Sequence, residues 1–167
     1  MLDLAAELRS TFPSHRRIVF RCRDGRYIAV GNEVVKESSV LMNTFLFAMV
    51  DDDVPLLQII SGDTIEHIRK LCAFFKYKPP FDRRVKSQRP SASDPVLQYL
   101  RNLSKEQLEE LNGAIDFLDM PRLAEYTLYF ALSLMKGKDL HGLRTVFGLR
   151  DDYTDLEELE DLAKHGV

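Results

Sequence analysis

The sequence predicts an α+β fold, with strands and helices mixed in the first part and helices alone afterwards. Three observations carry this expectation. Apolar residues alternate with polar ones on either side of an Asp-Gly pair between residues 18 and 30. From Ser104 onward they recur only at helical spacing. Between these regimes runs "KPPFDRRVKSQRPSASDP", residues 78–95, rich in Pro, Ser and basic residues, which reads as a long exposed loop. At 167 residues and 45% hydrophobic, the chain has the length of one domain and enough apolar material for a core.

The elements follow in order. Residues 1–17 form an N-terminal extension in which Leu4, Leu8 and Phe12 recur every four residues, as in a short docking helix. "IVFRCRDGRYIAV" is a hairpin: Ile18, Phe20 and Cys22 point one way, and Asp24-Gly25 supplies a turn that needs positive φ. "NEVVKESSVLMNTFLFAMV" gives one or two short helices capped by Asn32 and by Ser38 or Ser39. "VPLLQII" gives a third short strand. The next helix has Asp63 as its cap, Glu66 completing a capping box, and an apolar stripe of Ile65, Ile68, Leu71, Cys72 and Phe75. After the loop, Ser104 caps a helix over 105–119, and Pro121 suits the first turn of the following one. That helix ends at Lys136-Gly137-Lys138, where Gly137 takes the left-handed conformation. "DLHGLRTVFGL" makes another short helix, and a last one is capped by Thr154.

The helix containing "LAEYTLYFALSLM" is apolar on two arcs. At about 100° per residue, Leu123, Tyr126, Phe130 and Leu134 share one arc, suited to the domain's own core. Ala124, Leu128, Ala131, Leu132 and Met135 share a second. Burying each Leu or Met is worth about 1.5–3 kcal/mol, so the second arc predicts a cover, either another helix of this chain or a partner. "FLFAM" at 45–49 is likewise too apolar for one face.

Several function classes lack residues to support them. The net charge of −3 gives no overall drive toward nucleic acid or anionic lipid, although residues 1–90 hold 15 Lys and Arg against 11 Asp and Glu. The arginines around the hairpin, Arg16, Arg17, Arg21, Arg23 and Arg26, read as a solvated face or as a site for an acidic partner. The basic loop lacks an aromatic platform for single-stranded nucleic acid. Cys22 and Cys72 fit no metal or redox spacing, His67 is expected at the surface, and the acids at 51–53 do not match a calcium loop. No phosphate-binding glycine loop or nucleophile elbow is present. The expectation is a chain with no catalytic residues, metal, cofactor, leader peptide or membrane span, placed in cytoplasm and nucleus.

Several stretches together resemble the S-phase-kinase-associated adaptor family, which has the BTB/POZ fold. "IVFRCRDGRYIAVGNEVVKES" is similar to the family's opening, with the Asp-Gly turn and Lys-x-Ser at its spacing. "SVLMNTFL", "VPL", "LEELNGAIDFLDMPRLAEY" and "MKGKDLHGLRTVFGLRDDYT" resemble its later helices and junctions in order. The resemblance covers residues 18–158. It implies a BTB/POZ-like domain over 18–120, with a small three-stranded sheet, and C-terminal F-box-binding helices over 121–167.

The resemblance also implies a function: a non-catalytic adaptor that joins F-box substrate receptors to a cullin in an SCF-type ubiquitin ligase. Ala124, Leu128, Ala131, Met135, Lys138, Phe147, Leu149 and Tyr153 fall at F-box-facing positions. Phe47, Asp116 and Phe117 fall on the cullin side, and "FLFAM" would serve the cullin or a second copy in a free homodimer. The chain departs from the family at some points. Asp116-Phe117 replaces an Asn-Tyr pair, the C-terminal Trp-Cys is missing, and Leu140 stands where some members hydroxylate a proline. Two alternatives remain: an F-box-binding subunit of another complex that has lost the cullin, and an elongin-C-like adaptor, which "CAFFKYKPPF" faintly resembles.

Overall fold

The computed structural model describes residues 17–47, 59–79, 81–82, 84–85, 89–148 and residue 163. Among these, strands β1 (Ile18–Arg21) and β2 (Tyr27–Val30) form an antiparallel pair, with Ile18 opposite Val30 and Arg21 opposite Tyr27. The alternation is as expected: Ile18, Phe20 and Cys22 are buried while Arg21 and Arg23 are exposed. Gly25 takes φ 81°, and the Cys22 N–H donates to the Arg26 carbonyl at 2.8 Å to close the connection.

The sheet has two strands among the described residues rather than three. Most of the expected third strand falls within 48–58, outside the described residues, as do the acids at 51–53. Ile59 and Ile60 lie in a turn and a bend. Ile60 immediately precedes a helix cap, so the chain must turn there, yet its carbonyl still accepts from the Arg23 N–H at 2.9 Å, beside the hairpin.

Two short helices follow β2. Helix α1 spans Asn32–Val35; Asn32 is its first residue rather than its cap, and the Glu33 carboxylate accepts from the Gly31 N–H instead. Helix α2 spans Ser39–Phe47 and is capped by Ser38, whose Oγ accepts from the Leu41 N–H and donates to the Leu118 carbonyl.

Helix α3 spans Gly62–Ala73. Its cap is Ser61, not Asp63: Ser61 Oγ accepts from the Thr64 N–H, and Glu66 pairs with Arg69 at 2.6 Å rather than closing a capping box. The earlier start has a physical reason. It places the Gly62 N–H 3.0 Å from the Asp24 carboxylate, so the hairpin turn satisfies one of the helix's orphan donors. Asp63, now in the first turn, pairs with Arg26 at 2.8 Å. At the other end, the Lys36 ammonium donates to the Phe75 and Lys76 carbonyls.

The α3 stripe forms the core as its spacing requires. Ile65, Ile68, Leu71, Cys72 and Phe75 are all buried. They pack between α1, which contributes Val34 and Val35, and α5 (Lys105–Phe117), which contributes Leu111, Ala114 and Ile115.

The described part of residues 78–94 contains no helix or strand. Helix α4, Pro95–Arg101, begins at its end, with Asp94 as cap and Pro95 in the first turn. The Pro- and Ser-rich composition just before it gives this short helix no local signal. It positions Tyr99, whose hydroxyl lies 2.7 Å from His67 Nδ1, so His67 is half-buried rather than at the surface.

Ser104 caps α5 in a complete capping box with Gln107. The helix ends in a left-handed residue, Asp119, at φ 44°. The Met120 N–H returns to the Ile115 carbonyl and the Asp119 N–H to the Asp116 carbonyl, which is the Schellman pattern. Helix α6, Pro121–Met135, opens with its proline in the first turn as expected, and Gly137 follows at φ 73°. Helix α7, Leu140–Phe147, is capped by Asp139 and closed by Gly148 at φ 62°. The cap expected at Thr154 and the N-terminal helix over 1–12 lie outside the described residues. The chain forms two compact units, Met1–Phe130 and Ala131–Val167.

Candidate functional site

The site is built around helix α6. Its inner arc is anchored by Leu123 and Phe130, both buried, and by Tyr126, half-buried against the Phe75 ring with centroids 5.3 Å apart. The Tyr126 hydroxyl accepts from the Lys78 ammonium at 3.2 Å and donates to Asp94 at 3.3 Å. These contacts fix how the helix is rotated about its axis.

Large side chains of the second arc are exposed within the described residues. Leu128 is 58% exposed, Leu132 41% and Met135 39%. Steps of four and three along one continuous helix put them on the same side. Ala124 is exposed as well, and Ala131 is half-buried. Isolated exposed leucines are ordinary, whereas large apolar side chains exposed at successive turns of one helix are less so. The polar side carries Glu125 and Tyr129, which bond to each other at 3.3 Å. Lys138 is exposed just beyond Gly137, and Phe147 is half-buried at the end of α7. Leu149 and Tyr153 lie outside the described residues.

The second group of expected site residues sits at the end of α5. Asp116 is exposed, and Phe117 is 38% exposed. Phe47 is the last residue of α2, and its side chain lies outside the described ones. Phe117 borders a notch of about 370 Å³, whose other lining residues include Ile59, Ile60, Gly113 and Ala114. Ile59 is 52% exposed.

The notch has a polar rim. Arg23 donates to Glu110 at 2.5 Å, and Ser61 and Thr64 hydroxyls donate to the other carboxylate oxygen at 3.0 and 3.1 Å. These bonds, Arg23's first, hold the Glu110 carboxyl below its ordinary range. The notch was not anticipated from the sequence. Its one signal there was a glycine in the middle of a helical pattern, Gly113.

The basic hairpin is partly neutralised within the chain. Arg23 is matched by Glu110, and Arg26 by Asp24 and Asp63. The paired guanidinium holds the Asp24 carboxyl down to about 2. These pairings favour the reading of a solvated face over a site for an acidic partner; Arg17 and Arg21 remain exposed. The loop after α3 borders a second cavity, of about 550 Å³, with Arg122, Tyr126 and Tyr129.

Among the described residues, no group of three or more His, Cys, Asp or Glu is placed to hold a metal ion. No helix among them is long and apolar enough to cross a membrane.

No protein-family model matches the chain. Curated relatives do. The chain is 25% identical over 146 residues to the E3 ubiquitin ligase complex SCF subunit sconC of Arthroderma benhamiae, covering 85% of this chain and 88% of that protein. It is 25% identical over 154 residues to SKP1-like protein 1A of Arabidopsis thaliana, covering 88% and 93%. It is also 25% identical over 143 residues to the S-phase kinase-associated protein 1 homolog of Tetrahymena thermophila, covering 82% and 84%. The similarity spans nearly the whole of each relative, in agreement with the motif resemblance.

Proposed function

We propose that this divergent SKP1-like chain is a non-catalytic adaptor of an SCF-type ubiquitin ligase, binding an F-box protein on one surface and a cullin on another. One observation carries the reading: the outer arc of α6 presents Leu128, Leu132 and Met135 to solvent. In this reading Ala124, Leu128, Ala131 and Met135 contact the F-box, and Lys138, Phe147, Leu149 and Tyr153 extend the contact. Phe47, Asp116 and Phe117 face the cullin. The adaptor works in cytoplasm and nucleus by bringing a substrate receptor to the ligase scaffold, and it contributes no reacting group.

A second reading is favoured by Asp116, which presents an exposed carboxylate at the cullin-facing position. A charge there must be paired or desolvated on binding, and an unpaired one opposes association. The chain would then be an F-box-binding subunit of a complex without a cullin.

Affinity capture of the full chain from its own cell lysate, read by mass spectrometry, tests both. Recovery of a cullin together with F-box proteins supports the adaptor reading. F-box proteins without a cullin select the second reading. Recovery of neither class overturns both.

A further inference from the structure

We propose that Gly113 is a specificity-determining residue of the cullin-facing surface, opening a notch that receives one bulky apolar side chain of the cullin. The inference rests on the adaptor reading above and names what the end of α5 recognises.

Gly113 lies inside α5, four residues before its end. A glycine there weakens the helix relative to alanine, because it loses more backbone freedom on folding. Nothing among the described residues offsets that loss. Its φ is not positive, unlike those of Gly25, Gly137 and Gly148. A Cβ placed on it would meet no heavy atom within 4 Å, so close packing inside the chain does not demand glycine either.

What the missing side chain does is keep the notch open. Gly113 and Phe117 are four apart and therefore adjacent on one helix face. Between them and the facing Ile59 and Ile60 is the space of about 370 Å³, with Ile59 and Phe117 both substantially exposed. A side chain at 113 would project into that space.

The chemistry of the lining selects the occupant. The rim groups Arg23, Glu110, Ser61 and Thr64 are engaged with one another. Their mutual pairing leaves the apolar walls as the principal unmatched surface, so an apolar group is favoured over an ion. The volume of about 370 Å³ is ample for one large inserted side chain. Asp116 and Phe117 border the same helix face, so the notch continues the surface assigned to the cullin.

The test uses the full chain, a purified cullin from the same organism and an F-box protein, with binding followed by interferometry and folding by thermal melting. Gly113→Leu fills the notch. It is expected to weaken cullin binding at least tenfold, leave F-box binding unchanged, and melt no lower than wild type. Gly113→Ala is expected to have a smaller effect in the same direction. Cullin binding equal to wild type in Gly113→Leu overturns the notch while leaving the adaptor reading intact. A lower melting temperature in both variants also overturns it, because the glycine would then serve the chain's own fold. A wild-type chain that binds the F-box protein but no cullin overturns the occupant and the cullin half of the adaptor reading together.

Discussion

Arg122 Nε lies 3.1 Å from Glu37 Oε2, with both side chains almost completely buried. The pair ties the second residue of α6 to the turn between α1 and α2. Arg122 also donates to the Pro79 carbonyl, and its guanidinium lies 5.2 Å from the Phe75 ring and 5.8 Å from that of Phe81. Removing one member takes the opposite charge away from its buried counterpart. Arg122→Ala should therefore cost about 3–5 kcal/mol, measured by urea denaturation. Arg122→Met combined with Glu37→Leu should cost clearly less, since both charges leave together. Equal losses for the single and double variants would show that the pair is not the source of the effect.

Leu128→Glu with Leu132→Glu should remove F-box binding without unfolding the chain. Both side chains are largely in solvent, so the free protein loses little by the change. In the complex, each carboxylate would be buried against an apolar partner at a cost of about 3 kcal/mol or more, enough for a loss beyond 100-fold. Calorimetric titration reads the binding and circular dichroism the fold. Unchanged affinity in a folded variant would place the F-box elsewhere.

Asp119 occupies the left-handed position that ends α5. A non-glycine residue there costs about 1–3 kcal/mol, and aspartate tolerates the position better than a branched residue. Asp119→Gly should raise stability by about 0.5–1 kcal/mol, and Asp119→Val should lower it. Thermal midpoints of the two variants should lie on opposite sides of wild type. A fall in both would show that the carboxylate itself contributes.

Burial gives His67 a pH dependence, and the capping box bears on its tautomer. Gln107 Oε1 accepts from the Ser104 N–H, turning the amide nitrogen toward His67 Nε2 at 3.5 Å. Nε2 must then accept, and Nδ1–H donates to Tyr99. Burial, and then the nearby Lys70, lower the His67 pKa from 6.5, against the opposing pull of Asp63 and Glu66. The unfolded chain thus binds more protons than the folded chain below about pH 6.5. The His67 contribution to stability should fall as pH drops through that range and level off below the folded-state pKa. His67→Gln should flatten the slope of urea midpoints between about pH 7 and 5; an unchanged slope would assign it to another group.

Much of the fold was legible because its signals are local. The hairpin declared itself through alternation around Asp24-Gly25, and α3 through a stripe whose members are all buried. Caps were harder. Ser61 and Asp63 are both good cap residues, and the choice between them depended on Asp24, far away in sequence, bonding the Gly62 N–H. His67 was misplaced for a similar reason, since its partner Tyr99 comes from a helix that the loop composition concealed. The outer arc of α6 was readable as an excess of apolar residues, whereas the exposure of Leu128 follows from contacts such as Phe75 against Tyr126, from residues far apart in sequence. The notch beside Phe117 needs Ile59 brought against α5, and no local pattern encodes that approach.

The two buried thiols give the molecule an internal clock. Cys22 sits in the hairpin, directly after β1, and Cys72 within α3, and burial raises the pKa of both, so neither reacts readily while the fold is closed. An alkylating reagent can modify them only when the surrounding structure opens. The rate at each cysteine therefore times the opening of its own region, and the two rates together would tell whether the hairpin separates before the central helix does.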